Sequence, residues 1–233
     1  MTNDMIDENM IRIFASLFFC LVFSLPFAAC TQTEAVQPDL SDHLFIRIIK
    51  TTEAKDKGVL QIWKRGEDRR FALDRNFDIC TWSGELGPKL KEGDGQSPEG
   101  FYFIKPTSLN PNSSYHLSFN LGYPNAYDRS HGRTGSFLMV HGDCVSIGCY
   151  AMTDGGIEDI YADVEAAFAA GQPFIRVHVF PFDMTDENLT AQKRNINHAF
   201  WANLKAGWDW FETYRIPPNV TVRDKTYKFS ASE

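Results

Sequence analysis

Two residues eight apart define the chemistry this sequence can carry. His141 and Cys149 lie in residues 136–154, which read Ser-Phe-Leu-Met-Val-His-Gly-Asp-Cys-Val-Ser-Ile-Gly-Cys-Tyr-Ala-Met-Thr-Asp. A thiol becomes a nucleophile when a nearby base or cation favours loss of its proton, and His141 can supply that base. Acyl transfer also needs N–H donors for a developing oxyanion. Gly142, Gly148 and the amides around Cys149 and Tyr150 are candidates, since glycine lets backbone approach a substrate closely. Ser146 is read as a loop support that hydrogen-bonds the backbone. Cys144 is the rival nucleophile and ranks below Cys149, because no glycine adjoins it. A zinc site from His131, His141 and Cys149 ranks lower still, because no His-x₃-His or Cys-x-x-Cys pair accompanies them.

The elements that must hold this pair follow from hydropathy. The apolar run 137–140 predicts a buried strand ending at His141. Thr153 or Asp154 is a plausible N-cap, and Ile157, Ile160, Tyr161, Val164 and Phe168 repeat at helical spacing until Gly171 and Pro173. That helix would bring positive dipole character close to Cys149. Upstream, short β-branched runs predict strands at 43–50, 59–64, 70–74 and 77–82. Residues 84–104 hold five glycines and two prolines, a constrained loop leading into a strand at 101–104. Lys89 and Lys91 in that loop either face an anionic ligand or are solvated. A strand at 114–120 precedes a polar loop at 122–134. Another strand at 174–180 is followed by a mostly helical stretch, 186–214, with an apolar stripe from Ile196 to Phe211. A last strand or edge extension falls at 220–229. The expected fold is mainly β with flanking helices (α+β), a β-sandwich catalytic domain over 43–183 with a C-terminal helical extension over 184–233.

Apolar residues make up 43% of the 233, aromatics 14%, and the net charge is −7. The chain is globular, and its acidity argues against a general nucleic-acid binder. Residues 1–30 read as an export signal, with an apolar run from Ile11 to Ala29 and small residues before Cys30. The acidic stretch before Met10 points to translation starting at Met10. Ala28-Ala29-Cys30 resembles a bacterial lipobox, which makes Cys30 a candidate lipidation site. The polar segment 31–42 reads as a tether. The exported part then keeps Cys80, Cys144 and Cys149, an odd number. One arrangement is a Cys80–Cys144 disulfide with Cys149 free; the other is three reduced thiols.

His141-Gly142 followed by Ser146-x-Gly148-Cys149 resembles the signature of the YkuD-type L,D-transpeptidases. Gly95-x-Ser97-Pro98-Glu99-Gly100-x-Tyr102 resembles their upstream Thr-Pro-x-Gly-x-Tyr/Phe segment. The YafK-like branch is matched through Leu121 to Asn125, Asp128 to Gly135 and Gly148 to Asp154. The resemblance implies an exported enzyme acting on peptidoglycan stem peptides. Cys149 would be the nucleophile and His141 its base, with no metal or organic cofactor. A thioester at a diaminopimelate residue would be resolved by an amine or by water. Two departures bear on that last step. Ile147 stands where many family members carry His, and Ala151 where they carry Arg or Asn. The branch includes an amidase that releases a peptidoglycan-linked lipoprotein, so hydrolysis is an expected alternative to crosslinking. Arg129, His131 and Arg133 are candidates for holding substrate carboxylates, because Arg offers a bidentate match. Expected localisation is the periplasm, with a membrane reached only through the signal or a lipid on Cys30, most simply at the outer membrane. A catalytically silent wall-binding module is the competing class.

Overall fold

The computed structural model describes residues 43–52 and 58–231. The export signal, the tether and Cys30 lie outside the described residues.

The chain order is β1 (Leu44–Thr51), β2 (Val59–Arg65), β3 (Phe71–Asp78), β4 (Gly100–Ile104), β5 (Leu109–Ser113), β6 (His116–Asn120), α1 (Ala126–Ser130), β7 (Met139–His141), β8 (Tyr150–Ala151), α2 (Asp154–Ala169), β9 (Ile175–Phe182), α3 (Asp186–Ala191), α4 (His198–Tyr214), β10 (Asn219–Arg223) and β11 (Thr226–Ser230). A five-stranded sheet runs β3-β2-β1-β9-β4, a four-stranded sheet runs β5-β6-β7-β8, and β10-β11 is a separate hairpin. Within the large sheet β1 and β9 are parallel, and the other pairings are antiparallel.

The two-residue period of these strands decides which side chain meets which layer. β9 is buried along its whole length, as a strand covered on both faces must be. Its Ile175, Val177 and Val179 join Ile46, Ile48, Leu60, Ile62 and Ile104 in one core, shared with Phe119, Val140 and Tyr150 of the small sheet and Ile157, Ile160 and Val164 of α2. Fully burying one such side chain is worth about 1.5–3 kcal/mol. The opposite face carries Phe45, Phe101, Phe180 and Phe182. Against it pack α4, through Trp201 on Phe182 (5.3 Å between ring centroids) and Phe211 on Phe45 (4.8 Å), and the hairpin, through Tyr227 on Phe101 (4.9 Å). The large sheet is therefore the middle layer, with the small sheet and α2 on one side and the C-terminal elements on the other.

The α+β expectation holds, and the differences are local. The runs at 70–74 and 77–82 are one strand, β3, which stops at Asp78. The polar residues between the two runs stay in the strand because it is a solvated sheet edge, where Asp74 pairs with Lys64 at 3.0 Å and Arg75 pairs with Asp163. β5 escaped the hydropathy reading because Asn110, Pro111 and Asn112 carry no apolar alternation. The polar 122–134 loop contains α1, started by a reciprocal cap: the Asn125 side chain accepts the Asp128 N–H and Asp128 accepts the Asn125 N–H. The 186–214 stretch breaks into α3 and α4 around Asn195 and Asn197, residues that favour caps over helix interiors. Residues 219–230 form a hairpin rather than one strand. No helix among the described residues is long and apolar enough to cross a membrane.

Candidate active site

β7 and β8 pair in parallel, Val140 beside Tyr150 and His141 beside Ala151. Val140 and Tyr150 point into the core and are fully buried. Alternation then puts Cys149 and His141 together on the opposite face, separated by one register step, about 6–7 Å along the strand. The eight-residue spacing is the length of the loop that leaves β7 and returns beside it as β8.

Cys149 is half-buried and is the one free cysteine among the described residues. Its Sγ receives the Met139 N–H at 3.4 Å and sits 3.7 Å from the Phe137 carbonyl oxygen. Burial pushes the thiol pKa up; the Met139 N–H and the field of Lys89 oppose this without overcoming it. The surroundings therefore favour the protonated thiol over the thiolate, and its chemistry calls for a base.

His141 is suited to that task. Its Nδ1 lies 2.6 Å from the Gly142 carbonyl oxygen. A carbonyl only accepts, so Nδ1 carries the hydrogen, which leaves Nε2 of the neutral ring with the free lone pair. The ring is 3% exposed and lies against Tyr115.

The Cys149 loop is restrained at several points. The Cys149 carbonyl oxygen accepts hydrogen bonds from Ser146 Oγ at 2.8 Å and from Ser97 Oγ at 3.0 Å. Ser146 Oγ also receives the Gly148 N–H at 3.2 Å, and Ser97 Oγ receives the Ser83 N–H at 3.1 Å. The Tyr150 hydroxyl donates to the Pro98 carbonyl at 2.7 Å. Cys80 and Cys144 form a disulfide that ties the loop to the segment after β3, and this removes Cys144 as a nucleophile in the oxidised protein. Gly148 has φ +125°, a conformation that favours glycine.

The expected donors separate by how they are engaged. The Gly142 N–H is occupied by the Tyr115 and Leu117 carbonyls at 3.1 and 3.3 Å, and the Gly148 N–H by Ser146. Both glycines shape the loop rather than face an oxyanion. The Cys149 N–H makes no hydrogen bond among the described residues and is the open donor beside Sγ.

The proposed carboxylate holders do not gather at the thiol. Arg133 is 9% exposed, and its guanidinium pairs with Asp128 at 2.8 Å and lies over the Tyr127 and Phe200 rings. It is a core residue of the α1–α4 contact, which corrects its reading as a substrate group. Arg129 and His131 are exposed; Arg129 donates to the Pro124 carbonyl and the His131 ring stacks on Tyr127 at 4.2 Å. No contact joins either to Cys149 or His141 among the described residues. Nor do any three His, Cys, Asp or Glu side chains among them group as metal ligands.

The 84–100 loop contributes more than its composition indicated. Lys89 is buried, not solvated; it pairs with Asp94 and is the cation whose field reaches Cys149. Burial would raise the Asp94 pKa, but Lys89 and the Lys91, Leu90 and Gln96 amides hold it down at about 2. Behind this loop Lys50 and Glu99 form an ion pair with neither side chain exposed, at 3.0 Å. Lys50 donates also to the Ser97 carbonyl at 2.7 Å, and Glu99 accepts from the Gly87 N–H at 2.7 Å and the Trp201 indole at 2.9 Å. Ser97 and Glu99 belong to the quoted Gly95–Tyr102 segment, so the motif contained a signal for them; Tyr115, Lys50 and Trp201 had none.

The L,D-transpeptidase catalytic domain model of the YkuD family matches residues 56–179. A curated relative, "Putative L,D-transpeptidase YafK" of Escherichia coli strain K12, is 42% identical over 212 residues, covering 91% of this chain and 85% of its own length. Among solved structures, the helical cell shape determining protein Pgp2 from Campylobacter jejuni (K307A mutant) aligns with a TM-score of 0.47 at 22% identity, covering 74% of this chain and 57% of its own. Bd1075 of Bdellovibrio bacteriovorus aligns with a TM-score of 0.40 at 15% identity, covering 81% and 84%. With more than half its length matched by the family model, in a span that includes both His141 and Cys149, the chain belongs to the YkuD-type L,D-transpeptidase catalytic domain family.

Proposed function

We propose that the protein is a cysteine acyl-transfer enzyme of the cell wall, acting on diaminopimelate-containing stem peptides of peptidoglycan. The observation that carries this is a free, half-buried Cys149 on the same face of the β7–β8 pair as His141, whose Nδ1–H is fixed on the Gly142 carbonyl. In this reading Sγ gives its proton to Nε2 of His141 as the thiolate attacks the carbonyl carbon of the scissile linkage. The oxyanion forms beside the Cys149 N–H. Collapse breaks the C–N bond, and His141 returns the proton to the departing amine, leaving a thioester on Cys149. A second stem amine or water then attacks the thioester and gives its proton to His141; the C–S bond breaks, the acyl group leaves on the acceptor, and His141 returns the proton to the Cys149 thiolate.

Hydrolysis is the second reading, favoured by what surrounds the thiol. Ile147 is 89% exposed and apolar, and Ala151 is wholly buried, so neither offers a polar group to hold an amine acceptor. On that outcome the leaving group would be a stem residue or a peptidoglycan-linked lipoprotein. The proposal includes export by residues 1–30 to the periplasm, with Cys30 as the lipid attachment point.

The test is incubation with purified peptidoglycan and mass spectrometry of the products. New crosslinks identify transpeptidation, and freed stems or freed lipoprotein identify hydrolysis. A Cys149→Ala protein that yields the wild-type products would sink the proposal.

A further inference from the structure

The tip of the β5–β6 hairpin is latched onto the residues just after His141. The Tyr115 carbonyl accepts the Gly142 N–H at 3.1 Å, and the Tyr115 ring lies over the His141 imidazole, with centroids 4.8 Å apart and planes 38° apart. The tip is built to hold that ring there. The Ser113 hydroxyl accepts the Tyr115 N–H at 3.1 Å. His116 adopts φ +66°, a left-handed conformation that is costly for a residue with a Cβ. Its ring is anchored on Glu158 of α2 at 2.7 Å. Gly142 leaves room for the latch, since a Cβ there would come within 3.1 Å of both the Tyr115 oxygen and the His116 Cβ. Yet Tyr115 is 44% exposed, and its hydroxyl makes no hydrogen bond among the described residues. Neither core burial nor a phenol hydrogen bond accounts for an aromatic ring at this place.

We propose that Tyr115 is a positioning residue for His141: its π face fixes the imidazole and stabilises the imidazolium formed when the Cys149 proton moves from Sγ to Nε2. The proposal rests on the assignment of Cys149 and His141 as nucleophile and base. An aromatic face attracts a cation and does little for the neutral ring, so the contact strengthens as the thiolate–imidazolium pair forms. The other charged groups around the pair are Lys89 from the 84–100 loop, His116 and Glu158 at the hairpin tip, Asp143, and Asp154, which accepts the Asp143 N–H. Variants at Tyr115 leave all of these in place.

The test is the rate of Cys149 alkylation by iodoacetamide in the full chain, read peptide by peptide from acidic to alkaline pH. Tyr115→Ala is expected to move the profile about 0.5 pH unit upward, about three-fold slower alkylation near neutrality. The difference closes at alkaline pH, where the thiolate forms without His141. Tyr115→Phe keeps the π face and should superimpose on wild type. Tyr115→Leu keeps bulk without it, should follow the alanine variant, and carries the test if the alanine variant fails to fold. A loss by the same factor at every pH, or a leucine variant that matches wild type, overturns the proposal. His141→Ala is the control: if it leaves the profile unchanged, the nucleophile–base assignment itself fails, and the Tyr115 proposal with it.

Discussion

The Ser97 hydroxyl donates to the Cys149 carbonyl oxygen across 52 residues of sequence, at 3.0 Å. Ser146 donates to the same oxygen from within the loop. Two donors on one carbonyl fix the peptide that presents the Cys149 thiol.

Removing either hydroxyl should cost about 1 kcal/mol of stability. Because both share one acceptor, Ser97→Ala combined with Ser146→Ala should cost more than the sum of the two single changes. Urea denaturation of the three variants checks this. Turnover on peptidoglycan should fall furthest in the double variant, with substrate affinity little changed.

The Lys50–Glu99 pair has no exposed surface, so taking away one partner strands the other. Glu99→Gln leaves the Lys50 ammonium without its counter-charge and should destabilise the fold by about 3–5 kcal/mol. Lys50→Met combined with Glu99→Gln should recover part of that loss. Thermal melts of the single and double variants measure both.

Asp94 predicts an acid-sensitive contribution. Its pKa is lowered from 3.8 to about 2 in the folded protein. A carboxyl with a depressed folded pKa contributes stability that is fully present above the unfolded value and is lost as pH falls through the folded one. The wild type should therefore lose this contribution between about pH 4 and about pH 2. Asp94→Asn should be less stable at neutral pH by about 2 kcal/mol and should show a flatter decline over that window in urea titrations.

The Cys80–Cys144 bridge closes a separation of 64 residues. Chain entropy alone assigns such a loop about 4 kcal/mol. Reduction, or Cys80→Ala with Cys144→Ala, should lower the melting temperature. It should also loosen the 142–149 loop, seen as faster amide exchange there than in β9.

How far the sequence carried differs between fold and site. The strands of the central sheet and α2 were legible because burial on one or both faces leaves a period of 2 or 3.6 in the residues. β5 and α1 were not, because Asn110–Asn112 and Asn125–Asp128 are held by hydrogen bonds and caps that leave no hydropathy trace. The same division holds at the active site. His141, Cys149 and Ser146 stand close together in sequence, whereas Ser97, Tyr115 and Lys89 reach them only through the fold. Arg133 misled for a physical reason: a guanidinium in a polar loop reads as a ligand group until its carboxylate, Asp128, and its rings, Tyr127 and Phe200, are seen around it.

The indole of Trp201 on Glu99 bears on how the chain can be divided. Sequence patterning draws a line at residue 183 between catalytic and C-terminal portions. Cutting there would strip a hydrogen bond from a carboxylate with no access to water, and Glu99 shares its Lys50 with the carbonyl of Ser97, the residue that grips the Cys149 peptide. A fragment ending at 183 would lose registration of Cys149 along with its last helices. Expression trials or transplants of this enzyme should therefore keep α4 with the motif-bearing part, as a single inheritable piece.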